Sequence, residues 1–126
     1  MITLSKEQVI RLHDVLMSKT GGTCGIRDDS LIESALAAPF QTFDGIELYP
    51  SSAAKIARIA YSLVSNHPFV DGNKRIGTYV MLVLLELNNI DASFTDDDVI
   101  QIGLELAKGD MNYDQLLGLI LDRFTS

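Results

Sequence analysis

Apolar positions recur at helical spacing along most of the chain, and polar residues mark where each run begins. Val9, Leu12 and Leu16 follow Ser5 and Gln8, a capping-box pattern. This predicts a first helix to about Lys19, stopped by Gly21-Gly22. Ser30 with Glu33 repeats the capping pattern and predicts a short helix through Ala38, closed by Pro39. Ser51 or Ser52 opens a third helix, rich in Ala, Ile and Leu, ending near Asn66. A fourth, apolar on most sides, starts near Asn73 and ends by Asn88-Asn89. Thr95 with Asp96, Asp97 and Asp98 caps a fifth, which stops at Lys108-Gly109. Asn112 with Gln115 opens a sixth that ends near Phe124.

The helical period lapses once, between Phe40 and Tyr49. Phe43-Asp44-Gly45-Ile46 sets Asp-Gly between β-formers, a hairpin signal, so a two-stranded flap or an ordered loop is expected there. No repeat, linker or low-complexity tract interrupts the chain. The expected architecture is therefore all-α: residues 1–126 as one compact six-helix domain with one short extended excursion.

Composition narrows the function classes. With 47% apolar and 21% charged residues, 126 residues can bury a core. The longest apolar stretch, Ile76 to Leu87, falls short of the ~20 residues that cross a bilayer, and the N-terminus lacks a signal-peptide pattern. No membrane association is expected. Cys24 is the only cysteine, so one chain can form neither a disulfide nor a cysteine-based metal site, which fits a reducing cytoplasm. A net charge of −7 argues against direct nucleic-acid binding through phosphates.

Against that acidic background, His67-Pro68-Phe69-Val70-Asp71-Gly72-Asn73-Lys74-Arg75 stands apart. Lys74 and Arg75 put cations where a helix start is already electropositive and prefers Asp or Glu. An anion is the obvious compensation, and a polyphosphate the best candidate. Gly72 lets a ligand approach the backbone, and the N–H groups from Gly72 through Arg75 are free to meet phosphate oxygens. Arg75 can fork onto phosphate oxygens, and Lys74 is a mobile point charge. Asp71 is a hard oxygen ligand of the kind Mg²⁺ takes alongside phosphate and water. Asn73 can orient a phosphate or hold the loop, and Phe69 is expected to point into the core. His67 can take a proton near neutral pH. Taken singly, each piece is more often structural. Seven specified positions in one window have a chance frequency on the order of 1 in 10⁹, at about 1 in 20 each, which favours the functional reading. His13 is read as a surface or packed histidine, Asp96 to Asp98 as a helix start and Cys24 as a free thiol.

These nine residues resemble the Fic/Doc family signature, His-x-Phe-x-(Asp/Glu)-(Gly/Ala)-Asn-(Gly/Lys)-Arg. Leu12-His13-Asp14, the Gly21-Gly22 turn and the overall length resemble its death-on-curing branch. Relatives that transfer AMP usually carry Gly at the place of Lys74 and a second Arg at the place of Thr78, so both departures favour that branch. The resemblance implies a Fic/Doc-type fold and a toxin that passes the γ-phosphate of ATP to a threonine of elongation factor Tu. It implies His67 as the base, Asp71 as the Mg²⁺ ligand, and Gly72, Asn73, Lys74 and Arg75 as the phosphate cradle. The flap around Phe43, Asp44, Gly45 and Ile46 would dock the target. A partner antitoxin is implied as the control, because Thr3 to Glu7 has the spacing of an inhibitory helix found in some relatives but Gln8 follows where they carry Gly or Asn. A Fic-type AMP transferase and a catalytically silent peptide-binding module are the alternatives.

Overall fold

The computed structural model describes residues 1–125. It contains six helices: α1 Lys6–Thr20, α2 Asp29–Ala37, α3 Ser52–Asn66, α4 Asn73–Leu87, α5 Asp96–Lys108 and α6 Tyr113–Thr125. A two-stranded antiparallel hairpin, β1 Thr42–Phe43 and β2 Ile46–Glu47, is the remaining regular element besides a 3₁₀ turn at Ala38–Phe40. The all-α expectation with a small flap holds.

Most helix starts are set by the caps read from sequence. Ser5 and Gln8 exchange side-chain and backbone bonds at the head of α1, as do Thr95 and Asp98 at α5. Asn112 and Gln115 do the same before α6, and Ser51 caps α3. The start of α2 differs. Asp28, in extended backbone, accepts from the Ser30 N–H at 3.1 Å and from the Ser30 hydroxyl at 2.6 Å. Ser30 is thus already inside the first turn, and Glu33 pairs with Lys6 at 2.8 Å instead of closing a capping box. Nor does Pro39 end the helix abruptly, since α2 stops at Ala37 and Pro39 sits in the 3₁₀ turn that follows.

α3 is the centre of the molecule. Ten of its fifteen residues are buried, and α2, α4 and α6 pack around it. Ile56, Ile59 and Leu63 are fully buried. Each such side chain contributes about 1.5–3 kcal/mol relative to exposure. One continuous cluster joins them to Val9 of α1, Ile32 of α2, Ile76, Val80 and Leu84 of α4, and Leu116 and Ile120 of α6. α3 and α4 approach closely at Gly77, where an added Cβ would lie 2.5 Å from Val64 Cγ2 and 3.2 Å from the Ala60 carbonyl oxygen. This close pairing holds the connecting segment, residues 67–72, at one end of the core.

The flap is built on a turn with positive φ at Asp44 (53°) and Gly45 (77°). Its foot is held by Lys55 of α3, which is only 7% exposed. The Lys55 ammonium donates to the Tyr49 carbonyl and to Glu47, and lies over the Phe40 ring. Phe43 and Ile46 at the tip are 75% and 70% exposed. No helix among the described residues is long and apolar enough to cross a membrane.

Gly77→Ala sets a propensity gain of about 1 kcal/mol against overpacking of about 1–3 kcal/mol. We expect the overpacking to win, because one of the two contacts is backbone. Urea unfolding should show a net loss of stability, and a gain would mean that α3 and α4 are not in contact at Gly77.

Candidate functional site

The segment between α3 and α4 reverses the chain with two left-handed residues. His67 closes α3 at φ 53°, ψ 56°, and Gly72 opens α4 at φ 74°, ψ 23°. Gly72 suits this place chiefly through its backbone. Its φ suits a residue without Cβ, and an added Cβ would collide with the thioether of Met17, 2.8 Å from Sδ.

Many polar backbone groups of the segment have side-chain or backbone partners, several of them from distant parts of the chain. Arg27 donates from Nε to the His67 carbonyl (2.7 Å) and from Nη2 to the Asn66 carbonyl (2.8 Å), closing the end of α3. The Pro68 carbonyl accepts from the N–H groups of Arg27 and Asp28. Phe69 is buried, as its expected anchoring role requires. Its N–H and carbonyl are both bound by the Asn73 amide, at 2.9 and 3.0 Å. Of the two roles open to Asn73, these bonds serve holding the loop. Val70 donates to the Gly25 carbonyl.

Asp71 and Arg75 are tied to the end of α1. One Asp71 carboxylate oxygen accepts from the Thr23 N–H at 3.0 Å, the other from the Gly72 N–H at 2.8 Å. These two bonds hold its carboxyl below the usual carboxylate range against the opposing effect of desolvation, and the nearby Arg75 charge helps. The Gly72 N–H is therefore engaged, contrary to the free donor expected from sequence. Arg75 donates through Nη1 to Thr20 Oγ1 (2.8 Å) and the Gly21 carbonyl (2.6 Å), while Nη2 lies 3.6 Å from Asp71. Gly22 is packed into this junction, where a Cβ would stand 2.9 Å from an Asp71 oxygen and 3.0 Å from Arg75 Nη2.

Other groups face outward. His67 is exposed, and its Nδ1 lies 3.0 Å from the Ser65 carbonyl. A carbonyl only accepts, so Nδ1 carries the proton and Nε2 keeps a lone pair for taking another. Lys74 is exposed. Among the described residues, α4 is the one helix whose first turn has no side-chain cap from the residues before it, since Gly72 can offer none. Its electropositive start stands beside Asp71, Lys74 and Arg75. A cleft of about 250 Å³ between α1, α4 and α5 borders it, lined by Leu16, Thr20, Arg75, Thr78, Tyr79 and Ile100. A larger hollow at the far end of α4 includes none of the motif residues.

The donor set fits a magnesium polyphosphate. Asp71 is a hard, ionised carboxylate whose oxygens each accept one hydrogen bond and retain a further lone pair. Cations and helix N–H groups adjoin it. The flap residues Phe43, Asp44, Gly45 and Ile46 are exposed on their own hairpin. Asp96 to Asp98 open α5, as read from sequence, and no cluster of metal-ligating side chains occurs among the described residues. Cys24 is exposed, with partial desolvation and the neighbouring Asp14 carboxylate pushing its thiol pKa up, away from a reactive thiolate.

Three contributors were not placed at the site from sequence: His13, Arg27 and the Thr20–Thr23 stretch, which supplies the Thr20 hydroxyl, the Gly21 carbonyl and the Thr23 N–H. His13 stands in the buried stripe of α1 with Val9 and Met17, and its Nε2 lies 2.7 Å from the Asp71 carbonyl oxygen. Period alone could have placed His13 on that stripe, four residues from each.

Comparison with known proteins places the chain in a family. Residues 3–85 match the model of the Fic/DOC family. The chain is also 31% identical over 115 residues to the protein named Toxin Doc of Mycolicibacterium smegmatis, spanning 90% of this chain and 86% of that one. The match includes α1, the reversed segment and nearly all of α4, and the chain belongs to the Fic/DOC family.

Proposed function

We propose that this chain is a Doc-like toxin of a toxin–antitoxin pair. It transfers the γ-phosphate of ATP to a Ser or Thr hydroxyl of a protein, with elongation factor Tu as the target, and so blocks translation in the cytoplasm. The observation that supports this most is the uncapped start of α4 on left-handed Gly72, with Asp71, Lys74 and Arg75 around it. Such a start favours an anion through both its dipole and its unpaired N–H groups. The relative named Toxin Doc supports the toxin reading and a partner antitoxin.

On this reading His67 Nε2 accepts the proton of the target hydroxyl. The hydroxyl oxygen bonds the γ-phosphorus, the bond to the bridging oxygen breaks, and ADP leaves. Lys74 and the first-turn N–H groups of α4 hold phosphate oxygens, with Arg75 contributing through Nε and Nη2, since Nη1 is committed to α1. Asp71 would hold magnesium, which when bound offsets phosphate charge. Gly72 keeps the approach open, and Asn73 acts by fixing Phe69. The hairpin edge at Phe43 to Ile46 receives the target as an extended segment.

The departure at Thr78 favours phosphate over AMP transfer. Its side chain is buried, and its hydroxyl donates back to the Lys74 carbonyl at 2.9 Å. Gly103 of α5 packs close to its methyl group, where an added Cβ would stand 3.5 Å away. An external antitoxin is favoured because Ser5 and Gln8 use the Thr3–Gln8 segment as a helix cap.

Incubation with Mg-ATP and elongation factor Tu should add one phosphoryl group to the factor by mass spectrometry. A gain of AMP would install the adenylylating alternative, and no gain would leave the silent binding module. Expression without an antitoxin should arrest growth. His67→Ala should lower the transfer rate ~10²–10⁴-fold and relieve the arrest, as should Asp71→Ala. Full toxicity of both variants would remove the segment from the mechanism. Lys74→Ala should weaken Mg-ATP binding roughly tenfold by calorimetry, with unchanged melting because the side chain is exposed. Undiminished affinity would exclude Lys74 from the phosphate site.

A further inference from the structure

His13 is completely buried in the middle of α1, at a position whose stripe-mates Val9 and Met17 are apolar or thioether. Its ring stacks on Phe69, centroids 3.8 Å apart and planes 6° from parallel. Nε2 is 2.7 Å from the Asp71 carbonyl oxygen, so Nε2 carries the proton. Nδ1 is buried with no hydrogen-bond partner among the described residues, and the Asp14 carboxylate is too distant at 4.0 Å. One of the two ring nitrogens thus goes unsatisfied. An apolar ring would fill the same space and remove the unpaired Nδ1, but it would give up the bond to the Asp71 carbonyl. What the imidazole adds is one directed bond.

That bond acts on the peptide plane between Asp71 and Gly72. In a trans peptide the C=O and N–H point in opposite directions, and no cis bond is present here. Holding the Asp71 carbonyl to His13 turns the Gly72 N–H to the opposite side of the peptide, where it meets the Asp71 carboxylate at 2.8 Å. The same ring, by stacking, fixes Phe69, whose N–H and carbonyl the Asn73 amide also binds. We propose that His13 is a positioning residue: by holding the Asp71 carbonyl it sets the Asp71–Gly72 peptide plane, and so the direction of the Gly72 N–H and of the Asp71 carboxylate. Its use toward a magnesium nucleotide rests on the function proposed above. The positioning itself does not.

Two variants separate the donor from the ring. His13→Phe keeps the stack and removes the N–H; His13→Gln restores an N–H at a similar reach without the ring. In the full chain, amide hydrogen exchange at Gly72 is the first readout and calorimetric affinity for Mg-ADP the second. His13→Phe should speed Gly72 exchange and weaken Mg-ADP, each about tenfold for one lost buried hydrogen bond, while exchange in the centre of α3 stays slow. His13→Gln should return both values most of the way to the native ones. Unchanged Gly72 exchange in His13→Phe would overturn the proposal, as would equal losses in both variants. Should His13→Phe fail to fold, His13→Gln still decides: native-like Gly72 exchange supports the directed bond, and fast exchange overturns it. A native protein that takes up no Mg-ADP would count against the proposed function alone, because the Gly72 readout needs no ligand.

Discussion

The chain must reverse between α3 and α4 without leaving its backbone polar groups buried and unpaired, and the rest of the structure is arranged around that requirement. Six residues separate Asn66 from Asn73, and two of them, His67 and Gly72, stand in the left-handed region. So tight a path leaves little room for hydrogen bonds within the segment, and partners must come from other elements. Arg27 takes the last carbonyls of α3, Gly25 takes Val70, His13 takes Asp71, and Asn73 takes both ends of Phe69. The α1–α2 connection is thereby fixed by the same bonds, since Thr23 and Gly21 close on Asp71 and Arg75. Two stretches that look like separate loops in the sequence fold as one unit.

This explains which parts were legible beforehand. Helix starts were readable at Ser5, Ser51, Thr95 and Asn112 because a cap and the N–H it binds lie within three residues. The hairpin was readable because Asp44-Gly45 supplies two positive φ values next to each other. The error at α2 has the same origin: Asp28 and Ser30 are both good caps two residues apart, and only geometry decides that Ser30 is the donor in that pair. Period could have put His13 on the buried stripe of α1, but its partner and that of Arg27 were out of reach. Their partners lie 58 and 40 residues away, and nothing local distinguishes them from an ordinary helical histidine and a surface arginine. Lys55 was missed likewise, because a lysine among alanines reads as solvated, whereas it is buried beneath the flap.

The motif residues themselves were legible as a set, but their individual states were not. Spacing put Lys74 and Arg75 together as two cations of one cradle. In the structure Lys74 is exposed, while Arg75 has both Nη1 protons committed to Thr20 and Gly21. Asp71 likewise accepts from two backbone N–H groups. Composition cannot reveal this, because it depends on where α1 ends relative to the start of α4.

The consequence for binding is an exchange of partners and not a simple addition. A helix start carrying two cations and no side-chain cap is unfavourable by itself. The ligand-free chain already offsets part of that deficit with Asp71 and the Gly21 carbonyl. On the proposed reading, a polyphosphate draws on the same Arg75, and a metal on the same Asp71 oxygens. Each new bond then displaces or shares an existing one, so the net affinity is smaller than the contacts would sum to. The groups without such competition are Lys74 and the first-turn N–H groups of α4. Discrimination between an occupied and an empty site should fall mainly on these, with Asp71 and Arg75 serving both the fold and the ligand.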